Sequence, residues 1–351
     1  MDLLSHLGLK YPLLQAPMAG VSTPEMAAAV SNAGGLGALG LGAAGVDGAR
    51  RMLRATRALT DRVINANVFC HAPAMRDADV EADWLTALAP QFARFGAKPP
   101  EALHEIYRSF AVDRAMCDML IEEAPGVVSL HFGLPDPRWI GALQAAGNLV
   151  FASATSLAEA RACVAAGVDA IVAQGIEAGG HRGVFEPDAE DACLPVLTLV
   201  HQITAACDLP VIAAGGLMEG RDVARALAAG AVAAQLGTAF LDCPESAADA
   251  GYRAALRDVE LGPPVLTKAI SGRAARAVPN AFVTLGQGLS QQVPDYPVTY
   301  DAGKALNAAA KAAGDSGFGA HWAGSGLRRL RQGSAAEILQ QIAEELMQAQ
   351  R

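Results

Sequence analysis

The 351-residue sequence predicts an α/β fold: a (β/α)8 TIM barrel with a smaller, mainly helical lid domain. Three observations lead there. Short apolar runs recur from the N-terminus to about residue 240, Ala-rich helical patterns lie between them, and glycine or polar residues stand where each run stops. Continuous apolar strands alternating with helices imply a parallel sheet covered on its outside.

Strands are expected at 12–16 ("PLLQA"), 35–40 ("GLGALG"), 62–69 ("RVINANVF"), 126–133 ("GVVSLHFG"), 148–154 ("NLVFASA"), 169–175 ("DAIVAQG"), 210–216 ("PVIAAGG") and 231–237 ("AVAAQLG"). Patterns such as "SLAEARACVAAG" and "MEGRDVARALAAG" space apolar residues by three and four and close on glycine, as helices do. Residues 71–125 make the third crossover far longer than one helix, so a helical insertion is expected there. From about residue 245 the strand periodicity stops, and Gly/Pro-rich text leads to "DYPVTYDAGKALNAAAKAAG" and a final helix, Ser334 to Gln350. Ser334 and Glu337 have capping-box spacing. The domain reading is a barrel over 1–240 that carries the insertion, and a lid or substrate segment over 241–351 that partly packs back on the barrel.

With 52% hydrophobic and 18% charged residues, the chain can bury a sizeable core. Acidic residues outnumber basic ones 36 to 27 without a dense Lys/Arg cluster, which argues against a nucleic-acid partner and for a small molecule. The six cysteines are scattered, without C-x-x-C pairs or His/Cys spacing for zinc, and read as reduced core thiols with no metal. The N-terminus lacks a basic region and a cleavage signal, and the apolar stretches break well before a membrane span's length. A soluble, cytoplasmic protein with no membrane partner is expected, its oligomeric state left open.

Catalytic groups of such barrels stand at the carboxyl ends of the strands. Here "NANVF" brings Asn67, "LHFG" brings His131, "VAQGIEAGGHRG" brings Gln174, Gly179, Gly180 and His181, and "AAGG" brings Gly215 and Gly216. The last strand ends in "QLGT", which is Gln235, Leu236, Gly237 and Thr238. Loops after the seventh and eighth strands are where these barrels hold phosphate. Glycines there let backbone N–H groups approach the oxygens, a helix N-terminus adds positive potential, and the Thr238 hydroxyl can donate. A single glycine pair at a strand end is equally explained by a tight turn.

Gly179 and Gly180 would leave bare backbone beneath a flat ring, while Asn67 and Gln174 offer amides to its carbonyls and nitrogens; this suggests flavin mononucleotide (FMN). His181 would stand over that ring on a glycine-hinged loop, able to take a proton or hold an anion near neutral pH. For His131 the alternative is packing. Tyr300 and Lys304, four apart on a helix, share one face, with Tyr296 just upstream of Pro297. Two phenols and an ammonium suit a small anionic substrate; the alternative is a solvated lysine beside a half-buried tyrosine. "GLGALG" satisfies G-x-G-x-x-G, but it follows a helical pattern and forms a strand, so it is set aside as a dinucleotide fingerprint.

Together these motifs, with "QAPMAGVSTPEMAAAVSNAGGLGALG" at the start and "QQVPDYPVTYDAGKALN" near the end, resemble the class I nitronate monooxygenases, formerly called 2-nitropropane dioxygenases. The resemblance runs through nearly the whole chain. It implies noncovalent FMN and oxidation of alkyl nitronates with dioxygen, with propionate 3-nitronate as the substrate to be detoxified. It further implies that His181 is catalytic and can deprotonate a neutral nitroalkane. His131, Tyr107, Tyr296, Tyr300 and Lys304 would form the substrate pocket; Asn67, Gln174, Gly179, Gly216 and Gln235 to Thr238 would contact the flavin. Two other readings share this barrel: an NAD(P)H-dependent FMN reductase of quinones or enoyl thioesters, and a noncatalytic barrel that binds a phosphorylated metabolite.

Overall fold

The structure, a computed structural model, describes residues 2–351. Its frame is a parallel sheet of eight strands: β1 (Leu13–Gln15), β2 (Gly37–Gly40), β3 (Ile64–Phe69), β4 (Gly126–His131), β5 (Leu149–Ala154), β6 (Ala170–Gln174), β8 (Val211–Ala214) and β9 (Ala233–Leu236). A two-residue strand, β7 (Gly180–His181), interrupts the series and lies outside it. The spatial order β1-β9-β8-β6-β5-β4-β3-β2 curls round until β1 meets β2, where Gln15 N donates to Leu36 O at 2.9 Å and Leu36 N to Leu13 O at 3.0 Å. All eight expected strands are present.

Strand alternation sorts each side chain. In β6, Ala170 and Val172 point into the barrel with Leu14, Leu36, Val127, Phe151 and Ile212, while Ile171 and Ala173 join the larger core under the helices. The helix Leu3–Leu7 adds Leu3 and Leu7 to the inner cluster. The same parity carries Asn67, Ser129, His131, Ser153, Gln174 and Gln235 inward at the carboxyl ends, where they line one cavity.

Two boundaries differ from expectation. The helix Arg114–Glu123 gives Met116, Cys117, Met119 and Leu120 to the main core, so it belongs to the barrel's outer layer and the insertion ends before it. The final helix, Ala335–Ala349, has the expected capping box at Ser334 and Glu337 and packs Ile338, Leu339, Ile342 and Leu346 into the main core. Strands also do not stop at 245. β10 (Val265–Thr267) and β11 (Ala275–Ala277) form an antiparallel sheet with β7, and His181 pairs with Ala275. Three-residue strands without alternation leave little periodic signal.

A second apolar cluster joins the insertion to the C-terminal segment. Trp84, Leu88 and Phe92 of helix Ala78–Arg94 pack with Phe282, Val298, Ala302 and Leu306. This body sits over the carboxyl end of the barrel, because the helix Val298–Ala312 that it shares also sends Tyr300 into the cavity. Among the described residues no helix is long and apolar enough to cross a membrane, no group of His, Cys, Asp and Glu side chains suits a metal ion, and all six cysteines are unpaired.

Candidate active site

The cavity at the carboxyl ends collects most of the residues singled out from the sequence. Asn67, Tyr107, His131, Gln174, Gly179, Gly180, His181, Gly215, Gly216, Gln235, Gly237, Thr238, Tyr296 and Tyr300 all line it. Two do not. Leu236 alternates outward into the main core and is 1% exposed, so only its backbone is near the rim. Lys304 stands behind the wall, its ammonium 5.0 Å from the Tyr107 ring centre and 5.6 Å from that of Tyr300.

His181 is held by three contacts. Its ring Nε2 lies 2.8 Å from Ser271 Oγ, its carbonyl accepts from Gln174 Nε2 at 3.0 Å, and its backbone pairs with Ala275. The glycine-hinged loop expected here carries a two-residue strand pinned to a sheet. Gln174 Oε1 in turn accepts from Gly183 N at 2.8 Å and Arg182 Nη1 at 3.2 Å, so its amide anchors the His181 segment and keeps one Nε2 N–H free at the cavity wall. Asn67 Nδ2 donates to Ser129 O and Oγ, leaving Oδ1 without a protein partner at the cavity wall.

Burial governs the charge state. It draws His181 down to about 3, with the charges of His131, Arg273 and His71 adding to the effect. Burial and then Arg273 draw His131 to about 4, and the same two causes do so for His71. The sequence suggested an imidazole titrating near neutrality; the enclosed wall keeps the three rings neutral there instead. His131 Nδ1 meets Ser153 Oγ at 2.9 Å. The phenols of Tyr107, Tyr296 and Tyr300 are pushed up by burial and stay protonated, and Tyr296 Oη has no partner.

The same cavity has a rim of free backbone donors. The N–H groups of Gly215, Gly216 and Gly237 find no acceptor among the described residues, and Gly215 and Gly216 have φ of +126° and +69°. Thr238 Oγ1 accepts from Gly324 N at 2.9 Å and keeps its own proton to donate. The following helix, Gly220–Ala228, adds less than expected, because Asp222 accepts from Met218 N and Glu219 N, and Glu345 from Gly220 N. Gly179 also has a second reason beside the one expected: a Cβ there would stand 2.5 Å from Gly324 N and 2.6 Å from Ala323 C. Its bareness admits the C-terminal segment. Sequence reasoning missed Ser129, Ser153, Phe132 and Trp322 in the lining, and Ser271 and Arg273 behind it.

This arrangement can seat an anionic group on the glycine rim and a flat, polar-edged ring against Asn67, with a neutral imidazole and three phenols beside it. A family model described as nitronate monooxygenase matches residues 2–345. The chain is 56% identical over 348 residues to a nitronate monooxygenase of Paraburkholderia phytofirmans, covering 99% of this chain and 95% of that one. It is 50% identical to a nitronate monooxygenase of Pseudomonas aeruginosa, covering 97% of each. Among solved structures it is similar to a nitroalkane oxidase from Streptomyces ansochromogenes, with a TM-score of 0.90 and 38% identity over 100% of this chain and 99% of that one. The chain belongs to the nitronate monooxygenase family.

Proposed function

We propose that the chain oxidises alkyl nitronates with dioxygen using FMN, with propionate 3-nitronate as a substrate, and so detoxifies nitro compounds. The observation that carries this reading is that His181 and the unpaired N–H groups of Gly215, Gly216 and Gly237 line one cavity. Those donors and the Thr238 hydroxyl suit the phosphate, and Asn67 Oδ1 suits a ring N–H. FMN, when bound, supplies the acceptance of electrons from the nitronate and their passage to dioxygen.

The protein's own part is to bind, orient and move one proton. With Ser271 Oγ donating to Arg273 O, 3.4 Å away, and accepting from His181 Nε2–H, the Nδ1 lone pair would be left as the base. For a neutral nitroalkane, Nδ1 takes the proton from the carbon bearing the nitro group. The low resting pKa keeps the ring unprotonated, and the anion that forms stabilises the imidazolium. Tyr107, Tyr296 and Tyr300, protonated, can donate to the nitro oxygens, and the body built by helices Ala78–Arg94 and Val298–Ala312 acts as the lid that shields the cavity from water. The six unpaired cysteines suit a cytoplasmic location.

Oxygen uptake on adding propionate 3-nitronate to FMN-loaded protein tests the reading. Robust uptake is expected, with His181→Asn keeping its flavin and losing more turnover on neutral nitroalkanes than on nitronates. No uptake beside rapid anaerobic flavin reduction by NADH would assign the barrel to a reductase instead.

A further inference from the structure

Two arginines are buried at the carboxyl end of the barrel, and their charges are treated differently. Arg182, 1% exposed, pairs with Asp191 at 2.7 Å and donates Nη1 to the carbonyls of Gln174 and Gly175. Arg273, 3% exposed, has no carboxylate partner among the described residues. Its Nη2 donates to Val184 O at 2.6 Å and Phe185 O at 3.3 Å, and its Nε is buried without an acceptor. Desolvation disfavours a buried guanidinium without a counter-ion, so its persistence asks what uses the charge.

Its surroundings answer. The guanidinium carbon lies 4.4 Å from the centre of the Phe132 ring, and Phe132 lines the cavity. Phe132 also has φ of +74°, a left-handed conformation that a bulky side chain rarely adopts. A strained residue and an unneutralised cation thus meet at one contact on the cavity wall. Lys304 is exposed and outside the lining and Arg182 is neutralised by Asp191, so Arg273 is the enclosed cation near the ligand space that has no carboxylate partner among the described residues.

We propose that Arg273 is the fixed cation of this cavity, held behind Phe132 without a counter-ion so that its field selects an anionic ligand in front of the ring. The inference rests on the nitronate reading and supplies the countercharge that reading needs. Arg273 touches no ligand and is a positioning residue acting through space. It remains charged at neutral pH, burial drawing it down to about 10, and its charge is among the causes that lower His181, His131 and His71. The groups around His181 are Ser271 and Arg273 of the same turn, His131 and Phe132 after β4, His71, and Tyr296, Tyr300 and Trp322 of the C-terminal segment. None of these is negative at neutral pH. Glu159, Glu186 and Asp188 reach Arg273 only through longer-range attraction.

The test compares FMN-loaded wild type with R273K, R273Q and R273M. KM for propionate 3-nitronate is expected to rise about tenfold in the two neutral variants, while KM for a neutral nitroalkane of similar length and both kcat values stay within about threefold. R273K is expected to stay near wild type. Histidine-selective nitrogen-15 NMR of the same proteins, with His181→Asn as the assignment control, should show the His181 titration moving up by about one pH unit in R273Q and R273M and staying put in R273K. A nitronate KM within about twofold of wild type in R273Q, or an unmoved His181 titration, overturns the proposal. So does a folded R273K beside two neutral variants that do not fold, which would make the cation structural. If wild type oxidises no nitronate, the function reading fails while the NMR arm still decides the role of Arg273.

Discussion

Replacing Gly179 with alanine drives a methyl group into backbone. The new Cβ would stand 2.5 Å from Gly324 N, 2.6 Å from Ala323 C and 3.0 Å from Ala323 Cα, none of which a rotamer change can relieve. Overpacking of this kind costs about 1–3 kcal/mol. If the 323–325 segment backs away, it also strains the bonds from Gly324 N to Thr238 Oγ1 and from Ser325 N to Glu177 O, both 2.9 Å, at about 1 kcal/mol each. The total is about 3–5 kcal/mol. At about 2.1 cal/mol/K per residue the 351-residue chain unfolds with an entropy near 0.7 kcal/mol/K, so Tm should fall by about 4–7 °C. Gly180→Ala is the control: its φ is +72°, but the nearest atom to a new Cβ is Trp322 Cβ at 3.8 Å, so only backbone strain of about 1–2 kcal/mol applies. Thermal melts with flavin fluorescence would follow unfolding and cofactor release together, and Gly179→Ala should also hold FMN more weakly through Thr238. A Gly179→Ala protein melting within about one degree of wild type, or less damaged than Gly180→Ala, would refute the view that this glycine admits the C-terminal segment.

Acid should destabilise the fold early. His71, His131 and His321 are drawn to about 4 and His181 to about 3, so the unfolded chain, titrating near 6.5, takes up these protons first; stability is full above that value and falls as pH drops toward 4. Urea melts at pH 7.5 and 4.5 should differ by at least about 3 kcal/mol, and equal midpoints would contradict the neutral-imidazole picture. Ser271→Ala leaves His181 Nε2 without its 2.8 Å partner, a loss of about 1–3 kcal/mol; turnover of neutral nitroalkanes should drop about 10–100-fold and of nitronates about threefold or less, whereas equal losses would remove Ser271 from base positioning. Lys304→Met removes an exposed ammonium that lies over two rings, worth about 0.5–1 kcal/mol, so the nitronate KM should rise by less than about fivefold; a rise above about 30-fold would place that ammonium on the substrate.

The barrel was legible because its signals are local and periodic: the apolar runs, the glycines that end them and the Ala-rich helices repeat through Leu236. Strand parity could have found more of the site. Ser129 stands two residues before His131, and Ser153 has the inward parity of Phe151, so both were readable as rim residues once the strands were placed. Other features depend on long-range meetings. Ser271 reaches His181 across 90 positions of chain, and Arg273 becomes notable only when burial shows that it has no carboxylate. Gln174 was readable as a cavity amide from its type and place, but its further bonds to His181 O and Gly183 N are set by how the chain turns back after β6. The helix Ala335–Ala349 was read correctly from its cap, yet nothing local said that its apolar face completes the barrel's outer layer.

The most direct measurement is a crystal structure of the FMN-loaded protein with a nitronate analogue. The phosphate is expected on the backbone N–H groups of Gly215, Gly216 and Gly237, the ring edge at Asn67, and the analogue between the flavin and His181. A phosphate bound elsewhere, or an imidazole of His181 turned away from the bound ring, would contradict this arrangement.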